Sequence, residues 1–190
     1  MLFRSTHNVL PDILSWHAFG GPDVAAANVN YVRTFLHDNA IPIRRFTINE
    51  YVYQTEQYQP GTYVRYLAAL ERAGVESAAR SCYEETGTGS NCFNATLGGL
   101  LRPGTRERRS TWWAHQAYGQ LSGRMLAVRP DGGVDGVAAL DRARAEARFI
   151  LGRSAGTSRT IALRLRKWSS APYLMKDGRT RLQLKRLPDR

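Results

Sequence analysis

Hydrophobic and polar residues alternate between strand-like and helix-like spacing along the first two thirds of the chain. Three short apolar runs predict strands, at residues 12–16, 45–50 and 75–82. Between them, apolar residues recur every three or four positions, which predicts helices at residues 23–38 and from Pro60 up to Gly74. Strands that alternate with helices in this way predict an α/β fold with a parallel sheet.

Three residues mark equivalent positions in this repeat. His17, Glu50 and Tyr83 lie 33 residues apart, and each stands where a predicted strand ends. A strand with its crossover helix needs about 30 residues, so the three side chains are predicted to lie along one edge of the sheet. A polar loop over residues 83–109 then leads to a third helix, which Ser110 is predicted to cap and Gly123 to end.

The hydrophobic pattern changes after residue 128. Short segments alternate apolar and polar residues, with arginine on the polar side, which is typical of antiparallel strands that expose one face. These candidate strands lie at residues 137–141, 145–151, 160–168 and 180–187. The sequence therefore predicts an α/β domain at residues 1–128 and a small antiparallel, β-sandwich-like module at residues 129–190.

Positive charge is concentrated in the same C-terminal part. The 190 residues have a formal net charge of +11, and residues 101–190 hold 20 of the 27 basic residues. The basic residues are scattered, with no run of five, which favours an exposed arginine face over a nucleic-acid-binding segment. A phosphate-binding surface is the alternative, and nucleic acid is not a favoured partner. No apolar run is long enough to cross a membrane, and the N-terminus lacks the apolar core of a signal peptide.

Cys82 and Cys92 flank a turn-rich segment that can close a small disulfide loop. Asn94-Ala95-Thr96 follows directly and is a sequon for N-glycosylation at Asn94. Together, the loop and the sequon favour an oxidising, secretory environment. Two free thiols in a reducing compartment are the alternative interpretation.

Glu50 is the strongest candidate for chemistry. It ends an apolar strand, where an ionised carboxylate is costly unless it is paired or used. We predict that it acts as a nucleophile or base near His17 and Tyr83, the alternative being a solvated loop residue. The other histidines share no spacing with cysteine or carboxylate residues, so no metal or cofactor is predicted; they are His7, His37 and His115.

Three segments carry a family resemblance: Ile13-Leu14-Ser15-Trp16-His17, Phe46-Thr47-Ile48-Asn49-Glu50-Tyr51, and Ser110-Thr111-Trp112-Trp113 with the following Tyr118-Gly119-Gln120-Leu121-Ser122-Gly123. They resemble the C-terminal part of a clan A glycoside hydrolase and are most similar to family 39. The resemblance implies a secreted, retaining enzyme that acts on a carbohydrate. It also implies that this chain is a partial (β/α)8 barrel, comprising about the last three βα units, followed by an accessory β domain.

The same resemblance implies roles for the strand-end residues. Glu50 would end strand seven of the barrel and attack the anomeric carbon as the catalytic nucleophile. The substrate-binding residues implied are Trp16, His17, Asn49, Tyr51 and Tyr83. The Asn49-Glu50 pair also resembles the acid/base of strand four, but only one further strand–helix unit follows it before the β tail, which favours strand seven.

The main feature missing from this chain is the second catalytic carboxylate of a retaining glycosidase. Retaining glycosidases use a nucleophile and a separate acid/base, and the acid/base belongs to barrel strands that this chain is expected to lack. Glu84 and Glu85 are predicted to be surface charges of the loop. We therefore expect a glycosidase that is weak or inactive alone, with the N-terminal half of the barrel as a candidate partner. The alternative is a non-catalytic module that binds glycan or polyanion through the arginine-rich tail.

Overall fold

The computed structural model describes residues 9–154 and 160–187. In chain order the elements are β1 (Ile13–Ala18), α1 (Pro22–Asp38), β2 (Arg45–Tyr51), α2 (Pro60–Arg72), β3 (Ser77–Arg80), β4 (Glu84–Glu85), β5 (Gly89–Ser90), α3 (Ser110–Gly119), β6 (Arg124–Leu126), β7 (Val134–Asp141) and β8 (Glu146–Arg153). Short 3₁₀ helices lie at Gln54–Glu56, Trp168–Ser170 and Pro172–Leu174. The order of elements up to β3 agrees with the order predicted from apolar spacing.

The first three strands form a parallel sheet in the order β1-β2-β3, connected by α1 and α2. Proline opens both helices, at Pro22 and Pro60, where the missing N–H has no intrahelical partner to lose. Gly74 follows α2 with φ of 66° and lets the chain turn back towards β3. The buried core lies between the helices and one face of the sheet, and its largest members include Val29, Phe46, Ile48, Tyr63 and Tyr66.

The predicted partial (β/α)8 barrel is wrong. The parallel sheet is open, because β1 and β3 each pair only with β2. The other described strands form two antiparallel sheets, β4-β5 and β6-β7-β8. Repeated βα spacing indicates local units, whereas a barrel wall also requires the strands to pair in one closed parallel sheet. The observed class is a mixed α/β arrangement of three helices with parallel and antiparallel sheets, within the described residues.

The predicted β-sandwich-like module is also wrong. In its place, the single sheet β6-β7-β8 packs against α2. Gly61 in α2 and Gly152 in β8 permit this close approach, because a Cβ at Gly61 would overlap the Arg153 backbone and one at Gly152 would lie 2.5 Å from Val64 Cβ. The face of this sheet is thus covered by a helix rather than by a second sheet. The division into domains at residue 128 stays a prediction.

Two predicted strands of the tail are not formed. Residues 160–166 and 180–187 have no regular secondary structure, and their apolar side chains are exposed, including Ile161 at 50% and Leu184 at 85%. Alternating apolar residues stabilise a strand only when a neighbouring strand and a buried face are present. A smaller difference concerns α3, which has Arg109 rather than Ser110 as its N-cap. None of the described helices combines the length and the hydrophobicity that a membrane span requires.

Candidate functional site

An irregularity in the pairing of β1 with β2 lies next to Glu50. Trp16 pairs with Ile48, but the next residue of β1, His17, pairs with Glu50. Asn49 is therefore an extra residue in β2, as in a β-bulge. The bulge brings His17 and Glu50 directly side by side at the ends of two adjacent parallel strands.

The bulge also decides which way Glu50 faces. Phe46 and Ile48 are buried under the helices, and in a regular strand Glu50 would point to the same face, because side chains alternate with a period of two. After the extra residue, Tyr51 takes the buried position at 2% exposure. The Glu50 side chain instead keeps 39% exposure. A buried carboxylate is thereby avoided, and Glu50 remains accessible to solutes.

His17 lies beside this carboxylate and begins a row of contacting rings. Nδ1 of His17 lies 3.4 Å from Oε2 of Glu50, and the His17 side chain is 53% exposed. The His17 ring makes an edge contact with Phe19 at 5.6 Å between centroids, and Phe19 does the same with Tyr53 at 5.7 Å. Phe19 and Tyr53 were not predicted from the sequence as site residues. The sequence does contain a clue to both: Phe19 follows His17 by two positions, and Tyr53 follows Glu50 by three.

Tyr83 lies under the backbone that follows Glu50. Its hydroxyl donates a hydrogen bond of 2.6 Å to the carbonyl of Val52. Val52 is fully buried and has φ of 78°, a conformation that a β-branched residue rarely adopts. Burial raises the pKa of the Tyr83 hydroxyl, and the nearby negative charge of Glu50 adds to the increase. Tyr83 thus lies next to the backbone that follows Glu50 and supports the strained conformation there. It lies three residues beyond the end of β3, not at the strand end where it was predicted.

Trp16 and Asn49 lie near Glu50 but make internal contacts. The Trp16 ring contacts Phe46 edge to face at 6.1 Å, and Trp16 packs partly against the core. The Asn49 side-chain carbonyl accepts a hydrogen bond from Ser15 Oγ, which in turn accepts one from Thr47 at 2.8 Å. These hydroxyl and amide groups form a polar row on the exposed side of β1 and β2.

Tyr51 is in the core rather than beside Glu50. Its ring packs against Tyr63 and Tyr66 at centroid distances of 6.1 and 5.4 Å. Its hydroxyl lies 3.3 Å from Nε2 of His115. Burial raises the pKa of Tyr51 to about 12. The structure therefore brings His17, Glu50 and Tyr83 together and places the Tyr51 side chain behind them.

The predicted disulfide between Cys82 and Cys92 is confirmed, with 5.3 Å between the two Cα atoms. The sequon that follows is part of a hydrogen-bonded turn. Asn94 Oδ1 accepts a hydrogen bond from the backbone N–H of Thr96 at 3.2 Å, and Thr96 is fully buried. Glycosylation of Asn94 stays a prediction.

Glu85 is not the surface charge that was predicted, because its side chain is only 10% exposed. It accepts hydrogen bonds from Arg109 Nη2 at 3.2 Å, from Asn94 Nδ2 at 3.1 Å and from the hydroxyl of Tyr58. The Arg109 guanidinium also lies 4.0 Å from the centre of the Tyr58 ring. Glu85 therefore ties the disulfide loop to the segment before α3. Within residues 9–154 and 160–187, no three His, Cys, Asp or Glu side chains cluster as metal ligands.

Comparison with known proteins shows a likeness to a solved structure. No protein-family model matches the chain, and no curated protein matches it. Among solved structures, N2152 from Neocallimastix frontalis is similar, with a TM-score of 0.68 and 28% sequence identity. The match covers 80% of this chain and 37% of the N2152 chain, so this chain spans little more than a third of that protein's length. The likeness supports the fold and carries no activity with it.

Proposed function

We propose that this chain carries the nucleophile of a retaining glycoside hydrolase and that Glu50 is this nucleophile. The supporting observation is the position of its carboxylate, which is 39% exposed at the C-terminal end of the central parallel strand and 3.4 Å from His17. Retaining glycosidases use such a carboxylate to form a covalent bond to the anomeric carbon. Phe19 and Tyr53 add aromatic surface of the kind that packs against sugar rings.

The surrounding contacts suit a nucleophile that must be held in place. Val52, two residues after Glu50, has a left-handed backbone, and strain of this kind costs about 1–3 kcal/mol and often marks functional sites. The hydrogen bond from Tyr83 to Val52 holds that conformation. His17 lies beside Glu50, and its exposed ring can form a hydrogen bond to a sugar hydroxyl. Together these residues would fix the carboxylate relative to a bound sugar.

No residue of this chain is proposed as the acid/base, so the test substrate needs a leaving group that departs without a proton donor. Departure of a poor leaving group requires a proton donor, whereas 2,4-dinitrophenolate leaves without one. Glycosides of 2,4-dinitrophenol are therefore the appropriate substrates for testing Glu50 in this chain.

A release assay with several 2,4-dinitrophenyl glycosides tests the proposal. We expect measurable turnover by the natural chain and only the spontaneous rate for Glu50→Gln. Glu84→Gln is the matched control, because Glu84 is an exposed glutamate of the neighbouring loop. Turnover that is the same in Glu50→Gln and the natural chain would contradict the proposal, as would a complete absence of turnover.

A second candidate function is binding of a polyanion by the C-terminal segment. Arg164, Arg166 and Arg181 are exposed, and the described part of the chain provides none of them with an ion pair. Exposed cations without partners bind polyanions with an affinity that falls as salt increases. Heparin binding to the full chain tests this candidate. Substituting these three residues by Gln should weaken binding and its salt dependence, whereas the same change at Arg44, Arg106 and Arg129 should have a smaller effect.

A further inference from the structure

A concave surface lies on the side of β2 to which Tyr51 points, away from Glu50. It is an open cavity of about 410 Å³ at the end of β3, between α3 and the disulfide loop. Its wall includes Arg80, Tyr51 and His115 together with the disulfide and Leu97. Glu50 is not among the lining residues. Small-molecule sites commonly have volumes of about 300–1,000 Å³ and combine apolar walls with a few polar groups.

Among the described residues of the cavity wall, Arg80 alone is charged, and its hydrogen bonds to described residues are to neutral groups. Nε donates to the hydroxyl of Tyr63, Nη1 to the carbonyl of Ser81 at 3.0 Å, and Nη2 to the carbonyl of Gln57 at 3.1 Å. No carboxylate of the described residues forms an ion pair with it. A guanidinium has five N–H donors, so one remains on each terminal nitrogen.

The remaining polar groups of the cavity do not neutralise this charge. Nδ1 of His115 lies 2.7 Å from the carbonyl of Thr111, which requires a proton on Nδ1. Nε2 is then the acceptor for the hydroxyl of Tyr51, 3.3 Å away. Burial, with a smaller effect from the charge of Arg80, lowers the pKa of His115, so the imidazole is neutral at neutral pH. The part of the cavity wall that the structure describes thus contains one cation and no anion.

One terminal nitrogen of Arg80 faces the cavity at Gly98. A Cβ at that position would lie 3.1 Å from Nη1, so only glycine leaves the guanidinium accessible there without crowding. The rest of the wall is apolar and includes Ala78, Leu97 and Leu100. A charged head and an apolar body are therefore the two features that a complementary ligand would have.

We propose that this cavity is a binding site for a small carboxylate with a short apolar body, held through its carboxylate by Arg80. A carboxylate complements the positive charge of a guanidinium and accepts a hydrogen bond from the remaining N–H of Nη1, and such charge-assisted hydrogen bonds are among the stronger ones in proteins. The apolar part of the ligand would contact Leu97, Leu100 and the disulfide. This site is independent of the proposed glycosidase chemistry, since Glu50 and His17 take no part in it.

Calorimetric titration of the full chain with hexanoate tests the proposal, with hexan-1-ol as the uncharged probe and sulfate as the inorganic anion. We expect hexanoate to bind, and Arg80→Gln to weaken this binding by about tenfold or more, since hydrogen bonds to charged groups are lost. Binding of hexan-1-ol as tight as that of hexanoate would overturn the role of Arg80. Sulfate binding as tight as hexanoate binding would contradict a role for the apolar wall in binding. Absence of hexanoate binding would contradict the proposal that the cavity is a carboxylate-binding site.

A second pair of variants keeps the test decisive if Arg80→Gln does not fold. Ala78→Phe places a ring in the cavity and leaves Arg80 intact. Ala79→Phe is the matched control, because Ala79 is an exposed residue of the same strand and does not line the cavity. Loss of hexanoate binding in Ala78→Phe alone supports the proposal. Unchanged binding in Ala78→Phe, or equal loss in both variants, would overturn it.

Discussion

The ion pair between Arg72 and Asp135 predicts that removing Arg72 lowers the free energy of unfolding more than removing the charge of Asp135. Nη1 and Nη2 of Arg72, at the end of α2, donate to Oδ1 and Oδ2 of Asp135 in β7 at 2.7 and 2.6 Å. The backbone N–H of Gly136 donates to Oδ1 at 2.7 Å. The Asp135 side chain is 5% exposed and that of Arg72 is 37% exposed. Water can therefore solvate Arg72 when its partner is removed, but not Asp135.

The two effects follow from this difference in exposure. Arg72→Met leaves a buried carboxylate with one backbone donor, and breaking a buried ion pair in this way costs about 3–5 kcal/mol. Asp135→Asn keeps a carbonyl acceptor and leaves a cation that water can reach. We expect it to lower the free energy of unfolding by about 1.5–3 kcal/mol, the typical value of hydrogen bonds to charged groups.

Urea denaturation followed by tryptophan fluorescence measures both free energies of unfolding. Arg45→Met is the control, because the side chains of Arg45 and Glu76 are 54% and 45% exposed and an exposed pair contributes about 0–1 kcal/mol. A loss of stability in Asp135→Asn that equals or exceeds the loss in Arg72→Met would contradict this explanation.

Three further predictions concern the loop, the strand end and pH. Replacing both Cys82 and Cys92 by Ser should lower the free energy of unfolding by about 2–3 kcal/mol, because the loop that the bond closes is short; an unchanged urea midpoint would contradict this. Tyr83→Phe should cost about 1 kcal/mol and speed amide exchange around Val52, and exchange that does not change would argue against the support of Val52 by Tyr83. Burial lowers the pKa of His115 in the folded protein below its ordinary value of 6.5, so the unfolded chain binds a proton at His115 more readily than the folded protein does. The contribution of neutral His115 to stability is therefore complete above pH 6.5 and is lost as the pH falls below the folded-state pKa. Urea midpoints at about pH 5 and about pH 8 should therefore differ less for His115→Gln than for the natural chain, and an equal difference would contradict the prediction.

The βα units could be predicted from sequence because their determinants are local. Apolar spacing in α1 and α2 and the prolines that open them identify each helix without knowledge of the rest of the fold. Since parallel strands that follow such helices end at one edge, the 33-residue spacing correctly brought His17 and Glu50 together. Tyr83 lies three residues beyond the end of β3 and reaches the same edge through its hydrogen bond to Val52. The disulfide followed from two cysteines on a short turn-rich segment.

The remaining features depend on pairing between distant segments. The bulge at Asn49 exists only in the register of β2 against β1, and it exchanges the faces on which Glu50 and Tyr51 lie. Burial of Glu85 depends on Arg109, which lies 24 residues away in sequence. In the tail, the alternation at residues 160–166 is compatible with a strand, but no strand forms there. Period-two spacing alone does not say whether a partner strand is present.

Covalent labelling of Glu50 is the most direct test of the proposed function. Glycosyl fluorides with fluorine at carbon 2 carry a leaving group that needs no acid catalyst, and they trap the glycosyl ester of a retaining nucleophile. After incubation with a set of these sugars and proteolysis, mass spectrometry should find one added sugar on the carboxylate of Glu50. The Glu84→Gln variant should be labelled and the Glu50→Gln variant should not. A sugar on a different residue, or no labelling by any of these sugars, would contradict the assignment of Glu50 as the nucleophile.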